Sequence, residues 1–175
     1  MVAIFILVLV FIALVWWAFY VRLTTGQGAP YIPLEREVVK EVIKLADIKA
    51  DEIFYDLGSG DGRVVIAAAA AGARSYGVEI DKLRIAYSRL MIRLAGLDRH
   101  ATILEQDIFA TNLAHADVVF LFLLPETNEK LEQKLEQELK PGARVISAAF
   151  HFPNWKPLTI NPNGPQYGPI YYYER

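Results

Sequence analysis

Three glycines at alternate positions, Gly58, Gly60 and Gly62, stand between an apolar run that ends at Leu57 and an alanine-rich run over 63–71. Glycine takes positive backbone angles at little cost, so this spacing announces a tight turn whose main chain faces a ligand. A strand, a glycine turn and a helix in that order make the first half of a βα unit, and the chain repeats the alternation. Strands are predicted at 52–57, 75–80, 102–105, 117–123 and 144–149, with helices at 62–71, 82–95 and 126–139. Ahead of them, Val38, Val39, Val42, Ile43, Leu45 and Ala46 recur at helical spacing in "YIPLEREVVKEVIKLADI".

Local chemistry supports these boundaries. Asp81 is placed to cap a helix whose end Gly96 takes in a left-handed turn. Leu131, Leu135 and Leu139 form one apolar stripe, Pro125 suits a first helical turn, and Pro141-Gly142 stops the helix. After residue 150 the rhythm breaks in "FPNWKPLTINPNGPQYGPIYYYER", where short strands at 157–160 and 170–173 are predicted to pair as an antiparallel hairpin at one sheet edge. The expected fold is α/β: a Rossmann-like, doubly wound, seven-stranded, mostly parallel sheet. Ligands in such sheets bind beyond the carboxyl ends of the strands, where strand order reverses.

The turn carries acid on both sides, Asp56 before it and Asp61 within it. A dinucleotide turn spaces its glycines G-x-G-x-x-G and offers amides to a pyrophosphate, which two carboxylates would repel. The same carboxylates favour a ligand with an amine and a cationic sulfur, and S-adenosylmethionine is such a ligand. Glu79 ends the second predicted strand about twenty residues on, the place from which an acid accepts hydrogen bonds from a ribose diol. Asp107 ends the third, in "LEQDIF", within reach of an adenine amino group, and Ile80 and Ile108 are placed to sandwich the ring. The candidate cofactor residues are Asp56, Gly58, Ser59, Gly60, Asp61, Gly62, Glu79, Ile80, Asp107, Ile108 and Phe122.

Residues 2–21, "VAIFILVLVFIALVWWAFYV", contain no charged or amide side chain, and at about 1.5 Å per residue they reach roughly 30 Å, a bilayer's hydrocarbon thickness. With Trp16, Trp17 and Tyr20 followed by Arg22, they predict a transmembrane anchor over 1–23 rather than a cleaved signal peptide. Positive charge lies only on its carboxyl side, so a single-pass protein with its catalytic domain in the cytoplasm is expected. The polar segment 24–34 reads as a linker and lead-in element, and 35–175 as one domain. With 18 Lys+Arg against 20 Asp+Glu and no basic run, nucleic acid is not the expected partner. The absence of cysteine removes thiolate metal sites and cysteine nucleophiles, His100, His115 and His151 share no ligand spacing, and no metal is expected.

"YDLGSGDGR", "GVEID", "QDIF" and "ELKPGARVIS" resemble the successive motifs of class I, seven-strand S-adenosylmethionine-dependent methyltransferases. "YIPLEREVVKEVIKLA", "FLLPETNEKLEQKLEQELKPGARVIS" and "FHFPNW" extend the resemblance over nearly all of the chain after the anchor. They are similar to the small archaeal protein-lysine methyltransferases and to the membrane-anchored mitochondrial lysine methyltransferases that modify the adenine nucleotide translocase and the ATP synthase c-subunit. The resemblance implies methyl transfer to a lysine amine of a protein, with a membrane protein as an expected partner. After the fourth strand the chain reads Leu123-Leu124-Pro125-Glu126, without the Asn/Asp-Pro-Pro-aromatic motif of enzymes acting on nucleobase or glutamine amides.

Methyl transfer needs a neutral amine in line with the sulfur–methyl bond, and an apolar channel supplies both the alignment and the lowered amine pKa. Tyr31, Phe122, Pro125, Phe150, Phe152 and Trp155 are candidates for its walls. Tyr31, Trp155 and Glu126 are the catalytic candidates: the aromatics attract cations, and Glu126 either orients the amine or serves the helix amino terminus. His151 is a weaker candidate base. Two alternatives stay open, a methyltransferase of this fold acting on a small apolar or lipid-like molecule, and a non-catalytic module that only binds the cofactor.

Overall fold

The computed structural model describes the backbone of residues 2–24 and 31–175, with side chains 6–17 described in the first helix. It forms two compact units, residues 1–32 and 33–175.

In the first unit α1 spans Val2–Thr24. Its described side chains are exposed, from Ile6 at 53% to Trp17 at 65%. Among the described residues no helix is long and apolar enough to cross a membrane. The expected transmembrane anchor over 1–23 falls partly outside the described residues; within them an apolar helix with exposed side chains is what is seen. The side chains of Tyr20 and Arg22 and most of the linker, residues 25–30, lie outside the described residues.

The second unit opens with α2, Arg36–Ala46, which buries Val38, Val39, Val42 and Ala46. There follow β1 (Ile53–Leu57), α3 (Arg63–Ala70), β2 (Arg74–Glu79), α4 (Lys82–Leu94), β3 (Ala101–Glu105), β4 (Val118–Leu121), α5 (Pro125–Glu138), β5 (Arg144–Ala148), β6 (Thr159–Asn161) and β7 (Ile170–Glu174). They build a seven-stranded sheet in the order β3-β2-β1-β4-β5-β7-β6. The first five strands run parallel. β7 pairs antiparallel with both β5 and β6. The expected edge hairpin is therefore present, with its second strand on the inside.

Strand β4, "VVFL", shows why the sheet is covered on both faces. Val118 and Phe120 enter a cluster with Val38 and Val42 of α2 and Ala68 of α3. Val119 and Leu121 point the other way, into a cluster with Leu131 and Leu135 of α5. A strand buried on both sides reads as an unbroken apolar run, as this one does. α4 packs Ile85 and Ile92 against Val65 and Ala69 of α3 and Ile103 of β3. Strand order reverses between β1 and β4, so the crevice expected to hold a ligand opens at the carboxyl ends of these two strands.

Candidate active site

The turn from β1 to α3 adopts what its spacing demands: φ is +81° at Gly58, +54° at Gly60 and +77° at Gly62. At Gly58 a second restriction applies, because an added Cβ would come within 2.9 Å of Leu123 Cδ2, in the segment just past β4. The turn is pinned from behind as well. The amides of Gly58 and Ser59 donate to Val78 O at 2.9 and 3.0 Å, and Ser88 Oγ of α4 donates to Gly60 O at 2.9 Å.

Glu79, 5% exposed at the end of β2, is the acceptor that organises the crevice. Its Oε2 accepts from Gly60 N at 3.0 Å, and its Oε1 accepts from Ile80 N at 2.8 Å and Asp81 N at 2.9 Å. Arg84 Nη1 lies 4.0 Å from Oε2, both side chains being almost fully buried. Asp81 caps α4 as expected, accepting from Leu83 N at 2.9 Å and Arg84 N at 3.2 Å.

The two acids that flank the turn have different fates. Asp61 faces Arg63, whose Nε sits 2.9 Å from each carboxylate oxygen. Asp56 is 3% exposed and has no hydrogen-bond donor among the described residues. Burial pushes its carboxyl well above the usual carboxylate range, and the nearby charges of Asp61 and Glu79 push in the same direction. Such a group lacks a cation. Buried acids on either side of a glycine turn suit an amine and a sugar diol better than a pyrophosphate.

Ile80, 48% exposed, follows β2 directly. On the neighbouring strand Gln106 N donates to Glu79 O at 3.1 Å, so the segment carrying Asp107 and Ile108 lies alongside. Asp107 stands two residues beyond β3 rather than at its end, and its Oδ1 accepts from Phe109 N at 2.9 Å. Ile108 is half-buried against the α5-side core. The structure therefore brings Asp56, Gly58, Ser59, Gly60, Asp61, Gly62 and Glu79 together, with Ile80, Asp107 and Ile108 on the adjoining strand ends.

The channel candidates divide. Glu126 is exposed in the first turn of α5, and Phe122 is half-buried just past β4. Beyond β5 a buried network sets the backbone: Asn128 Nδ2 donates to Ser147 Oγ and to Phe150 O, each at 3.1 Å, and Ala149 takes a φ of +67°. Trp155 sits elsewhere, on the sheet face. Its ring is 4.8 Å from Phe152 and 5.7 Å from Tyr173, with the Arg175 guanidinium 5.2 Å away. It packs into the α5-side core, so the expectation that it lines a channel gives way to a packing role. His151 is exposed against Tyr171, its Nδ1 3.0 Å from Phe152 O. Tyr31 is half-buried and belongs to the first unit.

Gly77, Ser88 and Leu123 were not expected as site residues. A Cβ at Gly77 would lie 2.6 Å from Ser59 Oγ, so this glycine makes room for the turn. A glycine inside a strand is the signal for such a close approach. Ser88 and Leu123 had no comparable signal, since a buried serine in a helix and an apolar residue past a strand both read as packing.

The family whose sequence model matches residues 56–159 is described as the ANTKMT methyltransferase domain. A protein-lysine N-methyltransferase of Saccharolobus islandicus is 41% identical over 133 residues, covering 75% of this chain and 83% of that one. A Xenopus laevis lysine N-methyltransferase of the ATP synthase c-subunit is 38% identical over 128 residues, covering 73% of this chain. The match spans 56% of that relative, little more than half its length. Among solved structures, an RNA methyltransferase from Salinibacter ruber in complex with S-adenosyl-L-homocysteine superposes with a TM-score of 0.77 at 35% identity, over 82% of this chain and 93% of that one.

Proposed function

The chain belongs to the family of ANTKMT methyltransferase domains, and on that premise we propose that it methylates the side-chain amine of a lysine in a protein substrate. The observation that carries the chemistry is the buried, unneutralised Asp56 beside a glycine turn clasped by Glu79. The lysine specificity is supported by the 41% identity to the archaeal protein-lysine enzyme.

When bound, S-adenosylmethionine supplies an electrophilic methyl group on a sulfonium. Asp56 would hold its amine and Glu79 its ribose, with Ile80 and Ile108 against the adenine and Asp107 at the exocyclic amine. The substrate amine enters past the carboxyl ends of β4 and β5, between the first turn of α5 and the turn held by Asn128. There Phe122 and Phe150 supply apolar surface, which disfavours the ammonium form and so exposes the lone pair. Glu126, exposed at the same end, receives the amine's proton or orients it toward solvent.

We also propose that the apolar α1 keeps the domain at a membrane, on its cytoplasmic side, close to a membrane-protein substrate. The exposure of its side chains supports this.

A second reading, methylation of RNA, is favoured by the likeness to the Salinibacter structure. One experiment separates the readings: full-length protein and radiolabelled cofactor are incubated with membranes, lipid extract and RNA from the source cells. Label in protein that proteolysis recovers as methyl-lysine supports the proposal. Label in RNA or in the lipid extract alone overturns it.

A further inference from the structure

Along α4, Leu83, Tyr87, Leu90 and Leu94 recur at steps of four, three and four residues and are 41, 51, 49 and 72% exposed. Such steps share one helix face. The helix already buries Ile85, Ser88 and Ile92, so it shows a second apolar row to water. Single exposed leucines need no explanation; a contiguous row does.

The charges around the row have one dominant sign. Between residues 82 and 99 the exposed charged side chains are Lys82, Arg89, Arg93 and Arg99 against Asp98 alone. Two of these cations have distant acidic neighbours, Arg93 with Asp98 and Lys82 with Glu105, each at 3.8 Å and well exposed, and such pairs are weak. Arg89 donates to Ile103 O at 2.8 Å, a contact that leaves its charge in place. The whole chain carries a formal charge of −2, so this face is a local reversal. Tyr87 and Met91 continue the row into a recess of about 410 Å³ lined also by Arg36, Lys40 and Arg63, with Asp61 answering Arg63.

We propose that this face of α4 is a membrane-contact surface, which lays Leu83, Tyr87, Leu90 and Leu94 among the headgroups of an anionic bilayer with the cations against lipid phosphates. An apolar row flanked by Lys and Arg, with an aromatic ring at its middle, is the composition of a helix that lies in the interface plane. A second copy of the chain fits less well, since two cationic faces would repel. RNA answers the cations and leaves four apolar side chains without a partner. α4 begins three residues after Glu79, so the contact surface and the cofactor crevice share one rigid element. This contact is separate from whatever α1 does.

The chain has no cysteine, so Leu90→Cys carrying an environment-sensitive fluorophore reports on this face alone, and Lys156→Cys serves as the control. Full-length protein is mixed with vesicles of phosphatidylcholine, with or without phosphatidylglycerol. The expected result is a blue shift and shielding from an aqueous quencher at position 90 with the anionic vesicles, none at 156, and about tenfold weaker shielding with neutral ones. Adding Leu83→Ser and Leu94→Ser lowers the vesicle affinity read at position 90 about a hundredfold. A label at 90 that stays accessible while the protein co-floats with vesicles overturns the proposal. So does shielding that tracks protein concentration without lipid, or that RNA or a protein substrate produces in its place.

Discussion

Glu79 and Gly60, 19 residues apart in sequence, meet in a hydrogen bond of 3.0 Å from the Gly60 amide to the Glu79 carboxylate. The residue read as the ribose acceptor thus also shapes the turn beneath the ligand. Glu79→Gln keeps the size and turns one acceptor oxygen into a donor, which then confronts an amide N–H. Leaving buried amides unanswered costs about 1–3 kcal/mol. The variant should lose cofactor affinity by calorimetry and melt several degrees lower without cofactor. An unchanged melting point would remove the clasp.

Asp56 should behave in the opposite sense. Its folded-state pKa is raised, so the stability associated with its protonated form is present at low pH and is lost as pH rises through that raised value. Asp56→Asn removes the buried charge and should raise the melting point of the cofactor-free protein by roughly 2–4 °C at neutral pH. The same change should weaken S-adenosylmethionine binding about tenfold or more. In the wild type, affinity should climb with pH above the ordinary carboxylate range, with proton release on binding. A pH-independent affinity would detach Asp56 from the ligand.

Gly58→Ala meets two obstacles, a positive φ and Leu123 at 2.9 Å. The backbone alone costs about 1–2 kcal/mol. Pairing it with Leu123→Ala should recover the part due to the clash and leave the backbone part, which thermal denaturation of the two variants would resolve.

Trp155→Ala should destabilise the protein by about 2–3 kcal/mol, less than the cost of deleting a fully buried aromatic because the ring is half-buried. Trp155→Phe should keep the packing against Phe152 and Tyr173 and leave the rate with a saturating substrate near that of the wild type. A kcat loss of a hundredfold in a fully folded Phe variant would return Trp155 to the chemistry.

The layers and the crevice were legible because their causes are local. Alternate glycines, an acid at the end of β2 and the doubly buried run of β4 each carry their reason within a few residues. The inside position of β7 was not legible, since "IYYYE" has the same alternation beside β5 as it would at an edge. Trp155 misled for a related reason. Its neighbours Pro153 and Pro157 suggested an irregular segment free to reach the ligand, whereas Glu132 Oε1 accepts from Asn154 N at 2.9 Å and ties that segment back to α5. Asp61 looked like half of an acidic pair until Arg63, two residues on, took its charge.

Asp56 and Glu79 are placed to meet an amine and a sugar, groups that a donor and its spent form possess alike. Only the sulfonium charge, felt by the buried carboxylates, would tell the fresh molecule from the one whose transferable carbon has departed. The weaker that discrimination, the more the enzyme's turnover would follow the ratio between fresh and spent donor.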